Sequence, residues 1–414
     1  MQVSPERKPM NSKLPCVLTI NGGSSSIRFA LFECGKEPLR LIHGKVDRIG
    51  LSGTSMVATD SEGKSLVSRR ITVSDHHTAG GCLLEWLETQ RAFASVEAVG
   101  HRVVHGMSHS KPERVTPRLL AELRRITPYD PDHLPNEIRL IEACRGRYPR
   151  LAQVACFDTA FHRTMPEIAR LLPIPWRYTE EGVERYGFHG LSYEFLLGEL
   201  VRLGDPAAKH GRVILAHLGN GASLAAVLAG KSIDTSMGFT PAAGLLMSTR
   251  SGELDPGLLA FLVRRDQMTP SQFDRMVNHE SGLLGVSGRS SDMRDLLALE
   301  SRDRRAGLAV GLFCYQATKW IGSYAAALGG LDTLVFAGGI GENASAIRER
   351  ICRGLAFLGV KLSLRRNAES AAVISTKASA VTIRVIRTDE ELMIARSVCR
   401  TLKLRGAAEK GSKP

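Results

Sequence analysis

Three glycine-rich stretches concentrate the groups of this sequence that suit an anionic ligand. The first runs from Asn21 to Arg28: Gly22 and Gly23 free the backbone N–H groups for close approach, and Ser24, Ser25, Ser26 and a guanidinium follow at once. A polar hairpin turn is the plain alternative, since Gly, Ser and Asn are ordinary turn formers. A related pattern returns as His217, Leu218, Gly219, Asn220 and Gly221. The third, Gly338 to Asn343, stands between an apolar run and a helical pattern, where backbone N–H groups meet an anion or a purine edge.

Other candidates lie between them. His101, Arg102 and His105 end an apolar run; a buried arginine needs an anionic partner, whereas the two histidines read as solvated or structural. Asp158 closes another apolar run, where an acid serves either in a site or as a helix N-cap. His189 lies between Gly187 and Gly190, and Arg250 sits among Ser, Thr and Gly. Asp292, Met293 and Arg294 fall at a helix start. Glu390 and Glu391 open the last helical pattern, either as helix-start acids or with one of them a metal-associated carboxylate.

Elements able to position these groups are legible as apolar runs. Residues 17–20 and 29–32 form strands around the first glycine turn, with further strands at 41–46, 55–59, 96–104 and 153–157. Helices are expected at 81–91, 117–125 and 137–145, with a proline-rich loop at 128–135. In the second half, strands at 213–216, 222–228 and 231–234 repeat the opening pattern around the second glycine turn. Asp255 as N-cap and Pro256 in the first turn start a helix, 281–291 is a small-residue loop, and 308–328 is a buried helix. A strand at 334–337 leads through the glycines to a helix from residue 344, and 381–386 is a final strand. One hairpin phosphate loop in each half is a weak internal repeat, suited to gripping a nucleotide's phosphates from two sides.

Composition bounds the rest. A chain of 414 residues, 43% of them hydrophobic, has material for about two or three domains. The net charge of +13 is spread along the chain without interleaved aromatics, which fits a small anionic substrate and gives no support for nucleic acid. The eight cysteines form neither CxxC pairs nor clusters with histidine, so they read as free thiols in a reducing cytoplasm. Residues 1–13 are polar and lack the apolar core of a secretory signal; the run 308–328 carries Gln316 and Lys319, so no membrane span is expected. Gly339 to Ala344 formally matches GxGxxA, but it lacks a βαβ continuation with a downstream acid, which leaves a nicotinamide enzyme as a minor reading.

Taken in order, segments 21–26, 100–106, 157–165, 186–190, 217–223, 234–256, 281–295, 338–343 and 388–392 resemble the acetate kinase family over residues 17–396. The resemblance implies an α/β fold of two related ribonuclease-H-like domains, that of the acetate and sugar kinase, Hsp70 and actin superfamily, around a nucleotide cleft. It implies an N-terminal domain of residues 15–158 plus 391–405, a nucleotide-binding domain of residues 159–390, and flexible ends at 1–14 and 406–414. It also implies transfer of the ATP γ-phosphate to acetate, a homodimer, and Mg²⁺, or Mn²⁺ in its place. By the same resemblance Asn21 and Glu390 are the metal-associated pair. Asp158, His189 and Arg250 are catalytic, and Arg102, Val104, Phe188 and Pro241 line the carboxylate site. ATP falls to Arg28, to His217, Leu218, Gly219, Asn220 and Gly221, to Asp292, Met293 and Arg294, and to Gly339, Ile340, Gly341, Glu342 and Asn343.

Three positions depart from the family pattern. Arg28 replaces a lysine, Asp132 stands in the expected acyl-pocket loop, and Tyr193 replaces a second histidine after His189. Arginine keeps the charge of lysine but not its geometry. Asp132 either favours a polar acyl chain or points away. Propionate, another short acid, and a catalytically weakened nucleotide-binding member remain as alternatives to acetate.

Overall fold

Strand β1 (Cys16–Gly22) is buried along its whole length because it has a neighbour on each edge: β2 (Ser26–Glu33) antiparallel and β6 (Val96–Val103) parallel. The structure, a computed structural model, describes residues 14–23 and 25–404. Ser24, the expected extension up to residue 13 and the expected tail from 406 lie outside the described residues.

The chain divides into two compact units, one running up to Phe157 and resuming at Glu390, the other spanning Asp158–Asp389. In the first unit, β3 (Leu39–Asp47), β4 (Ser55–Asp60) and β5 (Ser65–Arg70) extend the meander begun by β2. With β7 (Glu113–Arg114) and β8 (Ala152–Phe157) they complete the order β5-β4-β3-β2-β1-β6-β8-β7. In the second unit, β9 (Arg212–Leu218), β10 (Ala222–Leu228), β11 (Lys231–Thr235), β12 (Thr333–Ala337) and β13 (Thr382–Val385) run β11-β10-β9-β12-β13. Each sheet therefore holds a three-stranded antiparallel meander followed by two parallel strands: β3-β2-β1-β6-β8 in one, β11-β10-β9-β12-β13 in the other. The weak sequence repeat is a repeat of topology.

The first unit builds its core from alternate side chains of the meander. Leu18, Ile20, Ile27, Phe29 and Leu31 pack on Leu83, Leu84, Trp86 and Leu87 of the helix His76–Glu88, and Phe29 meets Trp86 edge-on with centroids 5.9 Å apart. Each such buried side chain contributes about 1.5–3 kcal/mol. On the opposite face Ala30 and Phe32 pack on Ala395 of the closing helix Glu390–Leu402. That helix lies on β6 at Gly100, where a Cβ would stand 2.4 Å from Ile394 and 2.6 Å from Val398. Only glycine permits the approach.

Four local expectations are corrected. The helix expected at 81–91 spans His76–Glu88, because Asp75 and Thr78 form a capping box that starts it a turn and a half earlier. The expected loop 281–291 contains a helix, Gly282–Ser287. Gly338–Asn343 is itself helical, and Ala344 interrupts it before the helix Ser345–Gly354. Pro256, not Asp255, takes the N-cap position of Gly257–Asp266, although the Asp255 carboxylate accepts from the Gly257 N–H at 2.6 Å. All eight cysteines are free, and among the described residues no helix is long and apolar enough to cross a membrane.

Candidate functional site

In the first unit the candidate residues gather at the carboxyl ends of β1 and β6, the usual ligand edge of a sheet with parallel strands. The parallel register of β1 and β6, Ile20 opposite His101, brings Asn21 and Arg102 to the same edge. The Arg102 guanidinium donates to the Gly22 carbonyl at 3.1 Å. Asn21 Nδ2 donates to Glu390 Oε2 at 2.9 Å and to Glu391 Oε1 at 3.2 Å, so the closing helix delivers two carboxylates to the end of β1. Glu391, the second glutamate of the helix start, joins Glu390 in this set.

Val104 is buried, and its N–H donates to Glu137 Oε2 at 3.0 Å; Glu137, itself buried, fixes the start of the 104–106 turn. His101 is structural, being fully buried with Nε2 at 2.7 Å from the Gln153 amide. Burial pushes its pKa down to about 4. Asp132 is half-buried, while its neighbours form a buried pair, His133 Nδ1 to Asp130 Oδ1 at 2.9 Å. Arg28 is exposed on β2, opposite Asn21.

In the second unit two of the glycine stretches become neighbours. β9 and β12 run parallel with His217 opposite Ala337, so the turn 219–221 and the start of Gly338–Asn343 lie side by side. A Cβ on Gly219 would lie 3.6 Å from the Gly339 nitrogen, and one on Gly338 would overlap the Leu218 backbone. Asn220, Gly339 and Asn343 are exposed, whereas Leu218 and Gly341 are buried and Ile340 is half-buried. Glu342 is committed to the fold: its Oε1 accepts from the Gly338 and Thr388 N–H groups at 3.0 and 3.1 Å. Arg348, fully buried and not singled out in the sequence, donates to the carbonyls of Gly341 and Glu342, both at 2.9 Å. Asp292 caps the helix Met293–Leu299 through the Arg294 N–H and pairs with the exposed Arg294 side chain; Met293 is buried.

The histidine and arginine converge beside the second glycine turn. His189 adopts a left-handed backbone, φ 60°, directly before the helix Gly190–Arg202, a conformation that a non-glycine residue holds only when its surroundings enforce it. Its enforcers are visible. The Gly190 N–H donates to the Asp158 carbonyl at 2.9 Å. Buried His162 bridges Ser232 Oγ and the Phe188 carbonyl at 2.9 and 3.0 Å.

The His189 ring stacks on His217 with centroids 4.3 Å apart, and its Nδ1 lies 2.8 Å from Ser223 Oγ. Its Nε2 comes within 3.2 Å of the point where a Cβ on Gly221 would stand, and Arg250 Nη1 within 3.8 Å of the same point. Arg250 also donates to the Pro241 carbonyl at 3.4 Å. Its loop is anchored by the Leu283 N–H on the Met247 carbonyl, 2.8 Å, at the helix 282–287. Phe188 is fully buried and Pro241 half-buried.

Glycine turns at the ends of parallel strands, beside an arginine and an imidazole, make an arrangement of the kind that suits a phosphoryl group. A family model described as the acetokinase family matches residues 16–396. An acetate kinase of Rhodopseudomonas palustris is 46% identical over 93% of this chain and 98% of its own length. A propionate kinase of Citrobacter rodentium is 44% identical, over 93% and 96%. The crystal structure of a propionate kinase from Francisella tularensis superposes with a TM-score of 0.87 at 36% identity, covering 93% of this chain and 99% of that one. The chain belongs to the acetokinase family, and it is an ATP-dependent phosphotransferase that acts on a short-chain carboxylate.

Proposed function

We propose that this protein catalyses reversible transfer of the ATP γ-phosphoryl group to acetate, giving acetyl phosphate and ADP by direct in-line transfer. The observation that carries this reading is the gap at Gly221, approached by both His189 Nε2 and Arg250 Nη1. A donor and a fixed positive charge there suit equatorial phosphoryl oxygens.

The acceptor is already ionised at neutral pH, so no strong general base is required. Positioning and charge cancellation are, and Arg102 and Arg250 supply them as clamps on the carboxylate and on the moving phosphoryl group. Asp158 orients a partner rather than removing a proton. Val104, Phe188 and Pro241 bound the acyl group. The exposed N–H and amide groups around Asn220, Gly339 and Asn343, with Arg28 and Arg294, are assigned to ATP. The oxygens of Asn21 and Glu390, joined by Glu391, are the hard ligands that suit Mg²⁺ held partly through water. When bound, the ion would neutralise charge on the nucleotide's β- and γ-phosphates. A homodimer fits the apolar side chains Leu254, Leu259, Phe261 and Val263, all exposed around one helix.

Propionate is the second reading, favoured by the 44% identity to a propionate kinase. Asp132 bears on the choice. A hydroxamate assay with ATP, Mg²⁺ and a panel of short, hydroxy- and dicarboxylic acids traps the acyl phosphate itself. Product with acetate above all others is expected. Product only with a polar acid would move the substrate and make Asp132 its determinant, and ATP binding without any product would overturn the enzymatic reading.

A further inference from the structure

Behind His189 lies a buried hydroxyl chain. Ser223 Oγ is 2.8 Å from His189 Nδ1, and the Tyr193 hydroxyl is hydrogen-bonded to the same Ser223 oxygen. Tyr193 stands one turn into the helix that His189 opens, and Ser223 stands opposite His217 on the glycine hairpin. Both are fully buried.

We propose that Tyr193 and Ser223 are positioning residues that hold His189 in its Nε2–H tautomer, so that a neutral imidazole donates from Nε2 into the Gly221 gap. The proposal rests on the reading of that gap as the seat of the transferring phosphoryl group.

Donor and acceptor capacity alone gives the direction of the chain. Burial holds the Tyr193 phenol well above its ordinary pKa, so the group is a neutral donor with one hydrogen. Among the described residues its hydroxyl has a single partner, Ser223 Oγ. A buried phenolic hydrogen is not left unmade when an acceptor is in reach, so it goes to Ser223. Ser223 has one hydrogen of its own, and the remaining neighbour is His189 Nδ1. Directed there, the buried serine hydrogen makes Nδ1 the acceptor and leaves the ring proton on Nε2, the atom facing the gap beside Arg250 Nη1.

The reverse direction would leave the buried phenolic hydrogen without an acceptor. The ring plane is fixed independently by the stack on His217, whose Nδ1 is held at 2.8 Å by Ser192 Oγ, itself 2.7 Å from Thr388 Oγ1. A donor of fixed tautomer and fixed plane loses no reorganisation when charge develops on a phosphoryl oxygen. Tyr193 occupies a position where the family pattern has histidine, so this chain builds the relay from its own residue.

The test reads the tautomer directly. Full-length protein carrying ¹⁵N-labelled histidine is examined by long-range ¹H–¹⁵N correlation, with His189 assigned by its loss in His189→Gln. The expected wild-type pattern has Nδ1 as the unprotonated nitrogen and Nε2 as the protonated one. Tyr193→Phe, which keeps the ring and removes only the hydroxyl, should convert this to a tautomer mixture and lower kcat by roughly 3–10-fold. Ser223→Ala should lower kcat by roughly 10–100-fold with both KM values within about 2-fold, the signature of a lost transition-state contact. Ser223→Thr, which keeps a hydroxyl, should recover part of that loss.

A proton found on Nδ1 of wild-type His189 would overturn the proposal. So would a wild-type tautomer pattern and kcat in Tyr193→Phe. Absence of acyl phosphate with every acid would instead remove the reading of the gap, while the tautomer spectrum would still decide the relay.

Discussion

The backbone N–H of Gly190 donates to the carbonyl oxygen of Asp158 at 2.9 Å, and a Cβ on residue 190 would overlap that oxygen. Two segments 32 positions apart in sequence are thereby held in contact by main chain, and the left-handed His189 sits between this bond and the His162–Phe188 bond. Gly190→Ala should cost about 2–4 kcal/mol by overpacking and lower kcat at least ~10-fold through displacement of His189. Thermal denaturation and steady-state kinetics check both. An unchanged melting temperature would mean that the two segments yield without strain.

Gly221→Ala should separate activity from stability. Gly221 is not among the residues with positive φ, so alanine is conformationally acceptable there, and the stability change should stay within ~1 kcal/mol. Its methyl would occupy the gap shared by His189 and Arg250, and kcat should fall by ~100-fold or more. Near-wild-type turnover would move the reacting phosphoryl group away from this gap.

Acid should destabilise the fold through buried histidines. Burial holds both His101 and His162 down to about 4, against ~6.5 in the unfolded chain. Between these values the unfolded chain binds more protons than the folded one, so stability is full above ~pH 6.5 and declines as pH falls toward 4, by up to roughly 3 kcal/mol per group. Urea midpoints at pH 7.5 and pH 5 measure the decline. His162→Gln should flatten the difference, and equal midpoints in the parent protein would refute the assignment.

Arg348→Met should weaken from behind the segment Gly338–Asn343, which we assign to ATP. The change strands the carbonyls of Gly341 and Glu342, along with the Asn367 and Ser370 groups that also accept from this guanidinium. The expected cost is about 3 kcal/mol in stability, together with a ~10-fold rise in KM for ATP and little change in KM for the carboxylate. Isothermal titration with ADP separates the loop effect from general unfolding.

Glu390→Gln should reveal itself in the metal dependence. Removing one carboxylate from the Asn21 set should raise the Mg²⁺ concentration for half-maximal activity about 10-fold, judged from the usual effect of losing a ligand-associated group. Activity would be titrated with Mg²⁺ at fixed ATP. An unchanged requirement would reassign Glu390 to a purely structural role at the helix start.

The sequence by itself determined the class of fold, the two glycine hairpins, and the family to which Asn21, Arg102, Asp158, His189, Arg250 and Glu390 belong. Those features are local: strand–glycine–strand runs and short ordered motifs survive without knowledge of what packs on them. What holds His189 was not local. Ser223 on β10 bonds its imidazole, while His162 in the 3₁₀ turn after Asp158 and the Asp158 carbonyl hold the backbone of its neighbours Phe188 and Gly190, and only folding brings these separate segments around one residue. Arg348 and Glu137 were invisible for the same reason, since their partners are backbone groups whose availability depends on how other helices end or turn. The helix Gly282–Ser287 read as a loop because small residues carry no period. It forms where Gly282 meets the Met247 carbonyl too closely for any Cβ, a constraint that exists only once the chain has folded.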